Sequence, residues 1–172
     1  YLNYGYSSGD LFPEHRVGAE LYQKLLNTFE ISAGLRYLQF RTTENLKNDV
    51  LIYTGTVGKY FQNYWFSFRP YLNSGSDGLS QSYYFTVRRY LSIKDNFVSL
   101  ELGSGSSPDD PLDYSVNYDS FKLNMKKIQL SWHQLVCNRW IIYIIGAYQN
   151  EEYSAGLSRN VYSAKLQLGY HF

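Results

Sequence analysis

Hydrophobic and polar residues alternate strictly at the end of the chain, over residues 159–172. One parity is apolar and the other is polar or small: Tyr162, Ala164, Leu166, Leu168, Tyr170 and Phe172 against Ser163, Lys165, Gln167, Gly169 and His171. Because successive side chains of a β-strand point to opposite faces, the segment predicts a strand with one apolar and one polar face. An apolar face that ends on aromatic rings is typical of a strand that contacts lipid.

The same period of two recurs along the whole chain. It predicts ten strands, at residues 1–7, 15–26, 29–41, 50–61, 64–73, 80–92, 96–104, 122–135, 139–152 and 159–172. Most of these segments exceed the roughly five or six residues of globular strands and suit the roughly nine to eleven that a tilted strand needs to cross a bilayer. Helical periodicity is weak, and no apolar run of about 18 residues predicts a spanning helix.

The predicted connections alternate in length. Short ones fall at 27–28, 62–63, 93–95 and 136–138, and long ones at 8–14, 42–49, 74–79, 105–121 and 153–158. Bacterial barrels place short turns in the periplasm and long loops outside. The pattern therefore predicts an all-β fold, a transmembrane antiparallel up-and-down β-barrel with about ten strands in this chain. A parity break between Met125 and Ile128 predicts a bulge, or a strand that begins later than residue 122.

Each predicted strand has an apolar parity that we expect to face lipid. Examples are Leu21, Ile31, Leu35, Phe68, Phe85, Leu102, Ile128, Leu130, Trp132, Trp140 and Ile144. The opposite parity carries both signs of charge, and an Arg or Lys facing lipid at the midplane costs about 2–4 kcal/mol. We therefore expect a set of charged residues to line the lumen: Arg16, Glu20, Lys24, Glu30, Arg36, Arg69, Arg88, Glu101 and Lys165.

The arginines of this parity have two interpretations. Arg36, Arg69, Arg88 and Arg89 can line a path for anions, as rings of Arg or Lys do in pores. The glutamates on the same face would neutralise them, which favours a structural network of salt bridges over a selectivity device.

Composition supports a membrane interface and excludes several chemistries. The chain has 19 Tyr, 10 Phe and 3 Trp among 172 residues, and Tyr and Trp suit places where one end of the side chain is wet. The net charge of +1 gives no polybasic patch, and no nucleic-acid motif is present. The single cysteine, Cys137, excludes an internal disulfide and a cysteine-based metal site.

Candidate catalytic and metal-binding residues are few. His15, between Glu14 and Arg16, is the one weak catalytic candidate, and there is no Gly-x-Ser-x-Gly elbow. The acidic cluster Asp109, Asp110 and Asp113 matches no EF-hand spacing, so a solvated loop is the favoured interpretation. We expect no metal and no cofactor.

Several short motifs carry a family resemblance in their order and spacing. They are 11–16 (LFPEHR), 53–55 (YTG) with 58–60 (GKY), 63–65 (NYW), 68–71 (FRPY), 88–90 (RRY), 105–109 (GSSPD), 151–153 (EEY) and 169–172 (GYHF). Over nearly its whole length the chain resembles the YaiO family of outer-membrane β-barrels, with a departure at 119–127. The resemblance implies a Gram-negative outer membrane, and outer-membrane lipid and lipopolysaccharide as partners. It also implies further strands before Tyr1, so that 1–172 would be the C-terminal portion of a longer barrel.

The C-terminus resembles the signal that the bacterial barrel-assembly machinery reads. Lys165, Tyr170 and Phe172 match it, whereas Gln167 stands where glycine is most common. The resemblance implies that this machinery is a partner. For the role itself we expect a pore, an export conduit or a surface interaction platform. The alternatives are an outer-membrane enzyme acting on lipid or polysaccharide, and a soluble sandwich or lipocalin-like binder with its charged face outside.

Overall fold

The computed structural model describes residues 1–8, 13–25, 28–41, 47–75, 78–105, 124–137, 139–154 and 156–170. Ten strands are present in this part: β1 (Leu2–Tyr6), β2 (His15–Leu25), β3 (Phe29–Arg41), β4 (Lys47–Phe61), β5 (Tyr64–Gly75), β6 (Gly78–Tyr90), β7 (Phe97–Gly105), β8 (Met125–Val136), β9 (Trp140–Ser154) and β10 (Leu157–Tyr170).

The strands form one antiparallel sheet in chain order from β1 to β10. This arrangement confirms the predicted all-β, up-and-down fold with ten strands. Within the described residues the sheet is open, and β1 and β10 are its two edges. All connections at one end of the sheet are short, and we call this the short-turn end.

Two connections predicted to be long are in fact short. β5 and β6 stay paired as far as Gly75 and Gly78, and β9 and β10 as far as Ser154 and Leu157. The predicted loops at 74–79 and 153–158 are therefore wrong. Most residues at these strand ends are polar or small, and the few apolar ones, such as Leu79 and Leu157, do not alternate over a stretch long enough to indicate a strand.

The predicted bulge in β8 is also wrong. The register with β7 is unbroken from Met125, opposite Gly105, to His133, opposite Phe97. The strand begins at Met125, as the alternative of a later start required. The parity break arose because Met125 is an apolar residue on the otherwise polar parity, where it is buried.

One face of the sheet is apolar and exposed, and we call it the apolar face. A single row of residues crosses it from β3 to β10: Ile31, Val57, Phe68, Phe85, Leu102, Ile128, Tyr148 and Tyr162. The exposed fractions of Phe85, Leu102 and Ile128 are 42%, 43% and 51%. Such a face has no protein core to pack against in the described part of the chain.

The opposite face, which we call the polar face, is the more buried one. Ser67, Ser99 and Ser131 on this face are only 6%, 8% and 3% exposed. Among the described residues, the buried apolar side chains are only Phe40, Ile52 and Met125. Since a soluble sandwich or lipocalin-like barrel buries its apolar face, this distribution contradicts that alternative.

The polar face is concave, as contacts between non-neighbouring strands show. Trp65 in β5 donates a hydrogen bond from Nε1 to Glu30 Oε1 in β3 at 2.8 Å, across β4. Adjacent strands are about 4.8 Å apart, so these strands lie roughly 10 Å apart along the sheet. Gly58 of β4 makes the contact possible, because a Cβ there would lie 2.8 Å from Glu30 Cγ and 2.9 Å from Trp65 Nε1.

Substituting Gly58 with alanine tests this arrangement. We expect Gly58→Ala to lower the free energy of unfolding by about 1–3 kcal/mol, because the methyl group displaces Glu30 or Trp65 and leaves a polar group without its partner. The measurement is a urea titration of the protein folded into lipid vesicles.

Gly146→Ala is the matched control. A Cβ at Gly146 meets nothing within 4 Å, so its effect should stay within about 1 kcal/mol. Equal stability losses for the two variants would contradict the role given to Gly58.

Candidate functional site

The best-defined polar cluster on the polar face is centred on Glu20 of β2. The Glu20 side chain is buried, and Ser32 Oγ of β3 donates a hydrogen bond to its Oε1 at 2.6 Å. Arg69 of β5 forms an ion pair with the same oxygen at 3.1 Å. Gly34, opposite Glu20 in the register, leaves the space, because a Cβ there would lie 2.9 Å from Glu20 Cγ.

Arg69 reaches Glu20 across two intervening strands. β2 and β5 are separated by β3 and β4, so their backbones lie roughly 14 Å apart along the sheet. The Arg69 guanidinium also donates to the Tyr22 hydroxyl at 3.5 Å. Arg36 lies near the same cluster, with its Cζ 5.9 Å from the centre of the Tyr71 ring. The fold therefore gathers two of the predicted basic residues, Arg36 and Arg69, near the buried carboxylate of Glu20.

A second cluster combines one carboxylate, one guanidinium and several rings. Glu30 accepts hydrogen bonds from Trp65 Nε1 at 2.8 Å and from the Tyr60 hydroxyl at 3.2 Å. The Arg88 guanidinium lies 4.9 Å from the centre of the Trp65 ring and 4.2 Å from that of Phe97. Arg88 is thus held between aromatic rings, where cation–π attraction partly replaces hydration.

A third ion pair joins β7 and β8. Lys127 Nζ lies 3.1 Å from Glu101 Oε1, with both side chains about a quarter exposed. The Lys127 ammonium also lies 5.9 Å from the centre of the Tyr84 ring. Sequence reasoning missed Lys127 because the expected bulge left its parity undecided. Counting back by twos from Gln129 and Ser131 would have placed it on the polar face.

The remaining predicted charged residues are exposed. Arg16 and Lys24 of β2 and Lys165 of β10 share the polar parity. Lys24 lies opposite Glu30 and, with Tyr60, Tyr90 and Lys94 among others, lines an open cleft of ≈ 670 Å³ at the short-turn end. The structure does not test whether these positions line a lumen, and that assignment stays a prediction.

The predicted face of Arg89 is wrong. It was expected beside Arg88 on the polar parity, but it pairs with Tyr64 and Val98 in the register and lies on the apolar face. Adjacent residues of one strand necessarily point to opposite faces, so only one of the two arginines can face the polar side. The anion path of four arginines therefore loses one member.

The aromatic residues of the polar face were also missed. They share the polar parity with the charged residues: Tyr22, Tyr60, Trp65, Tyr71, Tyr84, Tyr90, Phe97 and Tyr143. Parity alone places each of them, but the expectation that rings face lipid hid the signal. They supply the planar surfaces and hydroxyl groups that the charged side chains contact.

His15 lies on the apolar face, next to the rings of β1. Its Nδ1 lies 3.0 Å from the Tyr4 hydroxyl, and its ring centre is 5.4 Å from that of Tyr6. One imidazole nitrogen is therefore engaged with a phenol. Catalysis by His15 stays an untested prediction.

Other predicted features have mixed outcomes. Tyr170 packs edge-on against Trp140, with ring centres 5.0 Å apart. Phe172, His171 and the acidic cluster at 109–113 lie outside the described residues, so the assembly signal stays a prediction. In the described ranges no three His, Cys, Asp or Glu side chains gather as metal ligands, and no helix there is long and apolar enough to cross a membrane.

A double-mutant cycle tests the ion pair between Glu20 and Arg69. We expect Glu20→Gln and Arg69→Met each to lower the free energy of unfolding by about 2–4 kcal/mol, because each leaves a partly buried partner unpaired. The double variant should lose less than the sum, with a coupling free energy of about 1–3 kcal/mol. Urea titration in lipid vesicles gives all four values.

The pair between Glu151 and Arg159 is the control for this cycle. The Arg159 side chain is 63% exposed, so its coupling should stay below about 1 kcal/mol. Additive effects of the Glu20 and Arg69 substitutions would contradict the pairing.

Comparison with known proteins supplies the family. The sequence model of the YaiO membrane beta barrel domain matches residues 1–110, which is more than half of the chain. No curated protein and no solved structure matches this chain significantly. The matched range covers β1 to β7 and therefore includes Glu20, Glu30, Arg69 and Arg88. The chain belongs to the YaiO membrane beta barrel domain family.

Proposed function

We propose that this chain forms the wall of an outer-membrane β-barrel in a Gram-negative bacterium, and that the barrel is a surface interaction platform rather than an open pore. The membrane location follows from the family. Support for the outer membrane comes from the fold, because antiparallel strands joined in chain order are the architecture of outer-membrane barrels.

The exposed apolar face supports lipid contact on the outside of this barrel. It carries apolar side chains in a continuous row from β3 to β10, and they are exposed to a degree that a water-soluble wall of this size does not tolerate. The polar face would then line the interior, with the charged residues Arg16, Lys24 and Lys165 among the lining groups.

The Glu20–Arg69 ion pair is the observation that favours a filled interior. The two side chains span the width of four strands to meet at 3.1 Å, over Ser32. Arg88 is covered by Trp65 and Phe97 in the same way. A water-filled channel leaves its lining charges hydrated and available to ions. Here the charges contact each other and aromatic rings, which suits a packed wall.

The connections opposite the short-turn end suit a surface role. Those between β1 and β2, at 7–14, and between β7 and β8, at 106–124, are the longest at that end. In bacterial barrels this is the extracellular side, where lipopolysaccharide surrounds the barrel. We propose that these two connections carry the interaction surface of the platform.

The exposed edge strand β10 supports an interaction with a further partner, the barrel-assembly machinery. Its side chains are exposed along most of its length, and it is an edge of the described sheet. An edge strand offers unpaired backbone groups to another strand. We propose that the machinery engages this edge, with Lys165 and Tyr170 as part of the signal.

Planar-bilayer recording of the full-length protein separates a platform from a pore. We expect no stepwise conductance from the wild-type protein, because paired side chains fill the interior. A general porin reconstituted in the same bilayers serves as the positive control. Discrete current steps whose ion selectivity shifts in Arg69→Gln would contradict a filled interior and support a pore.

A further inference from the structure

Charge is unevenly distributed on the apolar face. Among the described strand residues of this face, the charged side chains near the short-turn end are both cations, Lys59 and Arg89. Toward the opposite end the described charges have both signs: Asp49, Lys126 and Glu152. Among the charged side chains that the structure describes on the apolar face, charge of a single sign therefore occurs only near the short-turn end.

Both cations lie against aromatic rings. Lys59 Nζ is 5.0 Å from the centre of the Phe29 ring, and Arg89 Cζ is 5.8 Å from that of Tyr64. Phe66 lies beside Lys59 in the register and stacks on Tyr64, with ring centres 6.0 Å apart. These five residues form a continuous area across β3 to β6, which we call the cationic patch.

In the proposed barrel, the cationic patch lies at the level of a membrane interface, because its residues are near strand ends. Phe29 and Tyr64 begin their strands, Lys59 is two residues before the end of β4, and Arg89 is one residue before the end of β6. Long basic side chains near strand ends extend along apolar surface toward the headgroups. Tyrosine rings accumulate at the same level.

We infer that the cationic patch binds the phosphate of an anionic phospholipid headgroup. The inference rests on the proposed function, in which lipid covers the apolar face. The two Cα atoms lie roughly 12 Å apart, two strands and two residues away from each other, so their long side chains can reach one headgroup. Each basic residue near an anionic surface contributes about 1 kcal/mol, and the rings hold both cations along the wall.

Lipid retention by the full-length protein tests the inference. The protein is inserted into bilayers of equal phosphatidylglycerol and phosphatidylcholine, extracted, washed in detergent, and its retained lipid is measured by mass spectrometry. We expect retained phosphatidylglycerol to fall roughly five-fold in Lys59→Gln and in Arg89→Gln, and further in the double variant, because about 1 kcal/mol corresponds to that factor. Arg89→Lys should retain the lipid.

Lys126→Gln is the matched control, because it removes a cation from the same face at the opposite end. It should leave phosphatidylglycerol retention unchanged. The inference is overturned by unchanged retention in the double variant, by an equal loss in Lys126→Gln, or by no preference for phosphatidylglycerol over phosphatidylcholine in the wild type.

Insertion separates this inference from the proposed function. Heat-modifiable electrophoretic mobility reports whether each protein has folded into the bilayer. A wild-type protein that inserts without lipid preference overturns the cationic patch alone, whereas one that does not insert at all overturns both. If the double variant does not fold, the two single variants and Arg89→Lys decide the outcome.

Discussion

The structure of this sheet depends on which of its two faces gives the charged strand residues their partners. A strand residue has two directions available, and in this sheet one of them leads to an apolar, exposed face. In a bilayer that direction costs about 2–4 kcal/mol for a basic residue at the midplane. Glu20, Arg69, Glu30 and Arg88 therefore lie on the concave face, where carboxylates, guanidinium groups and rings stabilise each other.

Small residues let this concave face be both curved and filled. Gly34 and Gly58 leave room over β3 and β4 for side chains that meet from strands two or three positions apart. The same pairing is the basis of the proposed function, because charges engaged with each other and with rings are poor ligands for passing ions. Under that proposal the interior of the barrel is filled, and the activity lies at its rims.

Sequence periodicity predicted the strands and their faces because a period of two is a local property. The bounds of β3 were predicted without error, and ten strands were found. Contacts between distant strands were not predictable: the Glu20–Arg69 pair depends on curvature, which no single strand encodes. The face of Lys127 was left undecided because the buried Met125 obscured the parity of β8. The face of Arg89 was misjudged because two adjacent arginines obscured the parity of β6. The hairpins at 75–78 and 154–157 were missed because their polar strand ends resemble loops.

The most direct test of the central claim uses two tryptophans at nearly the same depth. Trp65 lies on the polar face opposite Arg88, whose row continues through Ser99 to Ser131, and Trp132 follows on the apolar face. Single-tryptophan proteins are folded into bilayers whose acyl chains carry bromine, which quenches indole fluorescence on contact. We predict strong quenching of Trp132 and little quenching of Trp65. Equal quenching, or stronger quenching of Trp65, would contradict a wall with lipid on its apolar face.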